Sequence, residues 1–209
     1  MKSKFLLTTL ISLTITACGT DNNESFNQIL DDEWKRGTKE NPVYASYMGD
    51  KSANQDWPDI SESAVRGRQK KTREVLEQIK SIDPQRLSIE NQLNYRLFLY
   101  NYERSVRAQK FDSHLLTFGQ RGGIQLEHET AEGLSFNTSQ DYKDWLVRLE
   151  KLPALIDQHI NLGRLGIERK ITAPNILMQR VANQMQLQLV DNPEESPFFN
   201  VFIDFIIAS

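Results

Sequence analysis

Thr72-Arg73-Glu74-Val75-Leu76-Glu77-Gln78-Ile79-Lys80-Ser81-Ile82-Asp83-Pro84 decides the fold class. Thr72, Val75, Leu76, Ile79 and Ile82 fall at i, i+3, i+4, i+7 and i+10, which is one buried face of an α-helix. Asp83-Pro84 ends it, because proline disfavours helical backbone in the residue before it. Upstream, Asp59 with Glu62 three residues later reads as the capping pair that opens this helix. After them come Arg66, Arg68, Lys70, Lys71 and Arg73, overlapping the start of the stripe and spread around much of the helix circumference. Those five cations read as a solvated face, with contact to anionic lipid headgroups as the alternative.

The same period recurs on both sides. Phe26, Ile29, Leu30 and Trp34 predict a short amphipathic helix ending near Gly37, and Val43–Asp50 a turn or short helix after Asn41-Pro42. Ser88 can cap a helix carrying Leu93, Leu97 and Tyr100 beside Tyr95, Phe98, Leu99, Tyr102 and Val106, a face wide enough to predict a central position. Thr138 with Asp141 is a second capping signature, followed by Tyr142, Trp145, Leu146, Leu149 and Leu152 at the stripe spacing. Pro153 can start a further helix in which Gly163 and Gly166 would admit a close neighbouring helix. Pro174 suits the first turn of a last helix, with Met178, Ala182, Met185 and Leu189 as its stripe and Asn192-Pro193 as its stop. Residues 111–137 break the period: with four glycines and one strand-like run, Ile124-Gln125-Leu126, they predict one long irregular loop or hairpin.

Composition bounds the rest. The chain has 209 residues, 39% of them apolar, with 25 Lys+Arg against 28 Asp+Glu for a net charge of −3. Such a chain is neither a disordered segment nor a polytopic membrane protein. Its near-neutral balance supplies no footprint for nucleic acid. The single cysteine excludes an internal disulfide and a cysteine-rich zinc cluster.

That cysteine is part of an address. Two lysines precede an apolar run, Phe5–Ile15, too short to span a bilayer, as in a signal peptide. Ile15-Thr16-Ala17-Cys18-Gly19 resembles the bacterial lipobox. The resemblance implies that residues 1–17 are a lipoprotein signal peptide, that Cys18 is lipidated, and that residues 18–24 are a polar tether before a helical segment at 25–209. Two or more acyl chains hold a protein firmly on a membrane. Gly19 is not the aspartate of inner-membrane retention, so the expected location is the outer membrane, facing the periplasm. An ordinary signal peptide with a chance cysteine is the alternative.

Chemistry is sparse. His128-Glu129-Thr130-Ala131-Glu132 approaches H-E-x-x-H, in which two imidazoles one helical turn apart hold zinc, but Glu132 stands where the second is needed. It reads as a solvated polar loop. His159 reads as a satisfied helix-flank residue, and His114 has no neighbour in sequence that suggests a site. Gly133-Leu134-Ser135-Phe136-Asn137 lacks the final glycine of a nucleophile elbow. In Gly119-Gln120-Arg121-Gly122-Gly123, the backbone around Gly122 and Gly123 could offer N–H groups to an anion or substrate, with Arg121 adding charge.

Five ordered segments carry a wider resemblance: Tyr44–Asp50; Ile82–Ser88 leading into Asn91–Tyr95; Asp141–Leu149 with Leu152-Pro153 and Ile156–Gln158; Ile171–Pro174; and Glu195–Phe199. Together they resemble the N-terminal part of the bacterial domain-of-unknown-function family 885, many of whose members are lipoproteins. The resemblance implies a mainly α fold: a multi-helix array forming the N-terminal part of a larger helical zincin-like domain. Full-length relatives look like zinc metallopeptidases acting on peptides, with an H-E-x-x-P-G-H motif far downstream. No catalytic or metal-ligating residue is carried onto this sequence, so no cofactor is expected in it. The apolar run Val201–Ile207 departs from the pattern, which suggests a truncated, frame-shifted or split reading frame. Two functions follow as expectations: a non-catalytic N-terminal fragment of a periplasmic zinc-dependent peptidase-like lipoprotein, or a stand-alone lipid-anchored helical binding or scaffold protein.

Overall fold

Most of the helices begin where a short polar side chain can satisfy the first free N–H groups. In a computed structural model describing residues 21–203, Asp21 caps α1 (Asn22–Glu40), Asn41 caps α2 (Pro42–Tyr47) and Ser61 caps α3 (Glu62–Lys80). Ser88 caps α4 (Ile89–Ala108), and Thr138 with Asp141 forms a full capping box on α5 (Ser139–Glu150). α6 (Leu152–Glu168) carries Pro153 in its first turn, and Pro174 is the N-cap residue of α7 (Asn175–Gln186), not part of its first turn. Ser61 rather than Asp59 caps α3; Asp59 accepts the Ser61 N–H at 2.9 Å and braces the cap. The signal-peptide, lipobox and Cys18 readings, and the apolar run beyond 203, lie outside the described residues.

The fold is mainly α. Helices α1, α3 and α4 meet around Phe26, Val75, Ile79, Ile82, Leu87 and Tyr95. Phe26 and Ile79 are fully buried, each contributing about 1.5–3 kcal/mol. The α3 stripe is thus the core of this half. α1 is longer than its apolar residues suggest, and it starts at Asn22, inside the segment read as a tether. Its buried face continues through Glu33 rather than Trp34, which is exposed against Tyr44. Arg36 donates to Glu33 at 2.8 Å and the Tyr102 hydroxyl bonds the same carboxylate, so the buried charge is answered on two sides.

α4 is not central. Asn91 and Tyr95 are buried, but Leu93, Leu97 and Tyr100 face solvent, because only the side toward Phe26 finds partner helices. Residues 111–137 contain no strand. They hold a 3₁₀ turn at Ser113–Leu115, an isolated bridge between Gly119 and Gly122, and a 3₁₀ stretch at Ile124–Gly133 that Ile124-Gln125-Leu126 opens. That stretch packs on α7 and on the Pro197–Phe199 turn, so no second strand is beside it to pair with. In α7 the buried residue is Val181, with Met178 and Met185 half-buried and Ala182 and Leu189 exposed. α7 closes at Gln186, before Asn192-Pro193.

Gly163 and Gly166 do admit close neighbours, but from loops. A Cβ at Gly163 would lie 2.6 Å from the Phe118 ring, and one at Gly166 2.7 Å from the Ile171 carbonyl oxygen and 3.1 Å from that of Leu115. Backbone cannot yield as a ring can. Gly166→Ala should therefore cost about 1–3 kcal/mol, read as a lowered urea midpoint with an unchanged slope.

Candidate functional site

The site is built on the polar side of α5. Asp141, Asp144, Trp145 and Arg148 are spaced i, i+3, i+4 and i+7, and all four are buried. The apolar stripe read from the sequence shares only Trp145 with this face; Leu146 is exposed. The partner is the segment after α2. The Lys51 ammonium lies 2.6 Å from Asp141 Oδ1, the Gln55 amide donates to Asp144 Oδ1 at 2.8 Å, and the Trp57 indole N–H donates to the Arg148 carbonyl at 2.7 Å. Asp141 also accepts the N–H groups of Asn137 and Thr138. The Lys51 bond first, then the Thr138 and Asn137 bonds, hold its carboxyl down at about 2.

Arg148 is fully buried and has no carboxylate within ion-pair range among the described residues. Nη2 donates to Ser46 Oγ at 2.9 Å and to the Ala53 carbonyl at 2.7 Å, while Nε and Nη1 find no partner among the described residues. The Trp57 ring covers the guanidinium at 5.4 Å. Burial pulls the pKa down to about 10. Sequence reasoning missed this arginine. The only signal was that its helical spacing to Asp141, Asp144 and Trp145 was as regular as that of the leucines.

Beside this network opens a polar cleft of about 490 Å³, lined by Tyr47, Arg121, Glu127, Glu129, Thr130 and Glu132. Gly122 and Gly123 line it too. The Tyr47 hydroxyl donates to the Thr130 carbonyl at 3.3 Å, and its ring fills the place where a Cβ on Gly133 would be. The structure thus brings Arg121, Gly122 and Gly123 into one cavity. Their anion-holding N–H groups are partly spent, however: Gly119 and Gly122 bond each other across the bridge. Three carboxylates share the walls, so the cleft favours cationic or polar groups over an anion. Burial raises the Glu127 carboxyl above its usual range, while its Thr130 bond and the Arg148 charge oppose the shift.

The three histidines stay apart from this cleft. His128 turns to the Phe198 ring, centroids 5.7 Å apart, leaving Nδ1 buried without a partner among the described residues, while Glu129 and Glu132 line the cleft. His159 bonds Thr117 from the α6 flank, and burial lowers its pKa. His114 lies near Arg66, Asp112, Glu62 and Arg169. Among the described residues no three His, Cys, Asp or Glu side chains gather where a metal ion could be held. The described residues therefore do not fit the zinc that the resemblance implies for full-length relatives.

A helical chain with a polar cleft and an internally bonded α5 face is thus the class of protein that fold and site define. Residues 42–205 match the model of the family described as "Bacterial protein of unknown function (DUF885)", and the chain belongs to that family. No curated protein and no solved structure matches the chain.

Proposed function

We propose that this chain supplies the non-catalytic, N-terminal helical part of a lipid-anchored periplasmic protein of the zinc-peptidase-like kind. The polar cleft would form part of the wall along which a peptide substrate lies. Hydrolysis would need metal ligands from polypeptide other than the described residues. Cys18, lipidated as the lipobox resemblance implies, would hold the protein on the outer membrane.

The observation that carries this reading is an uncovered apolar row on α4. Ile89 is 90% exposed, Leu93 53%, Leu97 55% and Tyr100 58%, at i, i+4, i+8 and i+11 along one helix face. A contiguous apolar row in water marks a surface made to be covered. Further helices of the same larger domain are the occupant this reading requires.

Light scattering and dye binding on the full-length chain test it. The expected result is self-association with strong ANS fluorescence, and both should fall in Leu93→Glu/Leu97→Glu. A monodisperse monomer that ignores the dye would overturn the reading in favour of a stand-alone scaffold or binding protein. Stoichiometric zinc with peptide hydrolysis by the chain alone would overturn its non-catalytic part.

A further inference from the structure

Apart from the cleft, a second polar cavity of about 270 Å³ lies between α3, the C-terminal end of α4 and the Ser113–Leu115 turn. Arg68, Gln69, Ser105, Gln109, Ser113 and His114 supply polar walls, and no carboxylate among the described residues lines it. The walls are tied together: the Gln109 amide donates to the Gln69 carbonyl at 3.0 Å, and Arg73 bonds the Gln109 side-chain oxygen. Arg68 spends one N–H on the Asp59 carbonyl at 2.8 Å and makes no ion pair among the described residues. His114 Nε2 is buried and has no partner among the described residues.

The charges around His114 cancel without Arg68. Arg66 of α3 lies 2.7 Å from Asp112 of the loop, and Arg169 at the end of α6 lies 2.5 Å from Glu62 of α3. Two carboxylates are answered by two guanidiniums, and Arg68, whose charge meets the Asp59 carboxylate only beyond ion-pair distance, stands beside a row of hydroxyl and amide groups. Burial, then the Arg66 charge, holds the His114 imidazole below its usual range.

We infer that this cavity binds a phosphate group, through the free N–H groups of Arg68, His114 Nε2 and the hydroxyls of Ser105 and Ser113. A guanidinium with several neutral donors around a small cavity is the chemistry that recognises tetrahedral oxyanions. It also gives the basic run of α3 a role that pairing on the helix surface leaves open. The ligand is free phosphate or the phosphodiester of an anionic lipid headgroup. The inference is independent of the proposed peptidase-like role.

Calorimetry of the full-length chain with inorganic phosphate, and co-sedimentation with phosphatidylglycerol vesicles against phosphatidylcholine vesicles, separate the two sources. Saturable phosphate binding with an upward shift of the His114 titration, followed by NMR, supports the free ligand. Selective co-sedimentation with the anionic vesicles, lost in Arg68→Gln, supports the headgroup. In either case Arg68→Gln should weaken binding about tenfold with an unchanged melting temperature. If that variant does not fold, the His114 titration of the unaltered chain with and without phosphate decides alone. The absence of both saturable phosphate binding and an anionic-vesicle preference, or binding indifferent to Arg68→Gln in a folded variant, would overturn the inference.

Discussion

Arg148→Ala lowers the unfolding free energy by about 3–5 kcal/mol, whereas Arg148→Met changes it by about 1 kcal/mol. The side chain is fully buried, packs under Trp57, and bridges Ser46 and Ala53 to α5. Alanine leaves a cavity and strips both acceptors of their donor. Methionine also strips the acceptors, but it keeps most of the volume and removes a desolvated charge that has no carboxylate in ion-pair range among the described residues. Urea unfolding followed by tryptophan fluorescence measures both, since Trp57 and Trp145 flank the site in edge-on contact. Equal losses in the two variants would show that the charge, not the packing, holds this joint.

Asp141→Ala costs about 2–4 kcal/mol, and part of that stability is lost in acid even without mutation. The carboxylate accepts the Asn137 and Thr138 N–H groups, completes the α5 capping box and pairs with Lys51. Its folded pKa of about 2 lies below the ordinary 3.8. A depressed carboxyl stabilises the fold fully above the unfolded value, and that contribution fades as pH falls from about 4 towards 2. Asp141 is only 3% exposed, but the Lys51 side chain is 54% exposed to water, so the pH-dependent part is discounted to about 1–2 kcal/mol. Asp141→Asn should flatten stability against pH across that window. A slope equal to that of the unaltered chain would assign the acid loss to other carboxylates.

The stripe Val75, Leu76, Ile79 and Ile82 was legible because apolar residues at helical spacing have one favourable arrangement in water. The caps Ser88 and Thr138 were legible because their bonds reach only three residues along the chain. The α5 site was not. Asp141, Asp144 and Arg148 belong on a solvated face by polarity, and only Lys51, Gln55, Ser46 and Ala53, some 90 to 100 residues earlier, make their burial tolerable. Nor could periodicity rank Leu93 and Leu97 below Tyr95, since all three are apolar and which of them meets Phe26 depends on where α1 lies.

By itself, then, the order of residues determined the mainly helical class, the α3 stripe, the caps at Ser88 and Thr138, and the family pattern from Tyr44 to Phe199, because each depends on neighbours within a turn or two. Tertiary packing alone decided that α5 turns its charged side inward, that α4 leaves Leu93 and Leu97 in water, and that Arg68 and His114 share a cavity. Those outcomes rest on partners far apart in the chain, whose attraction or repulsion has no local signature until the backbone brings them together.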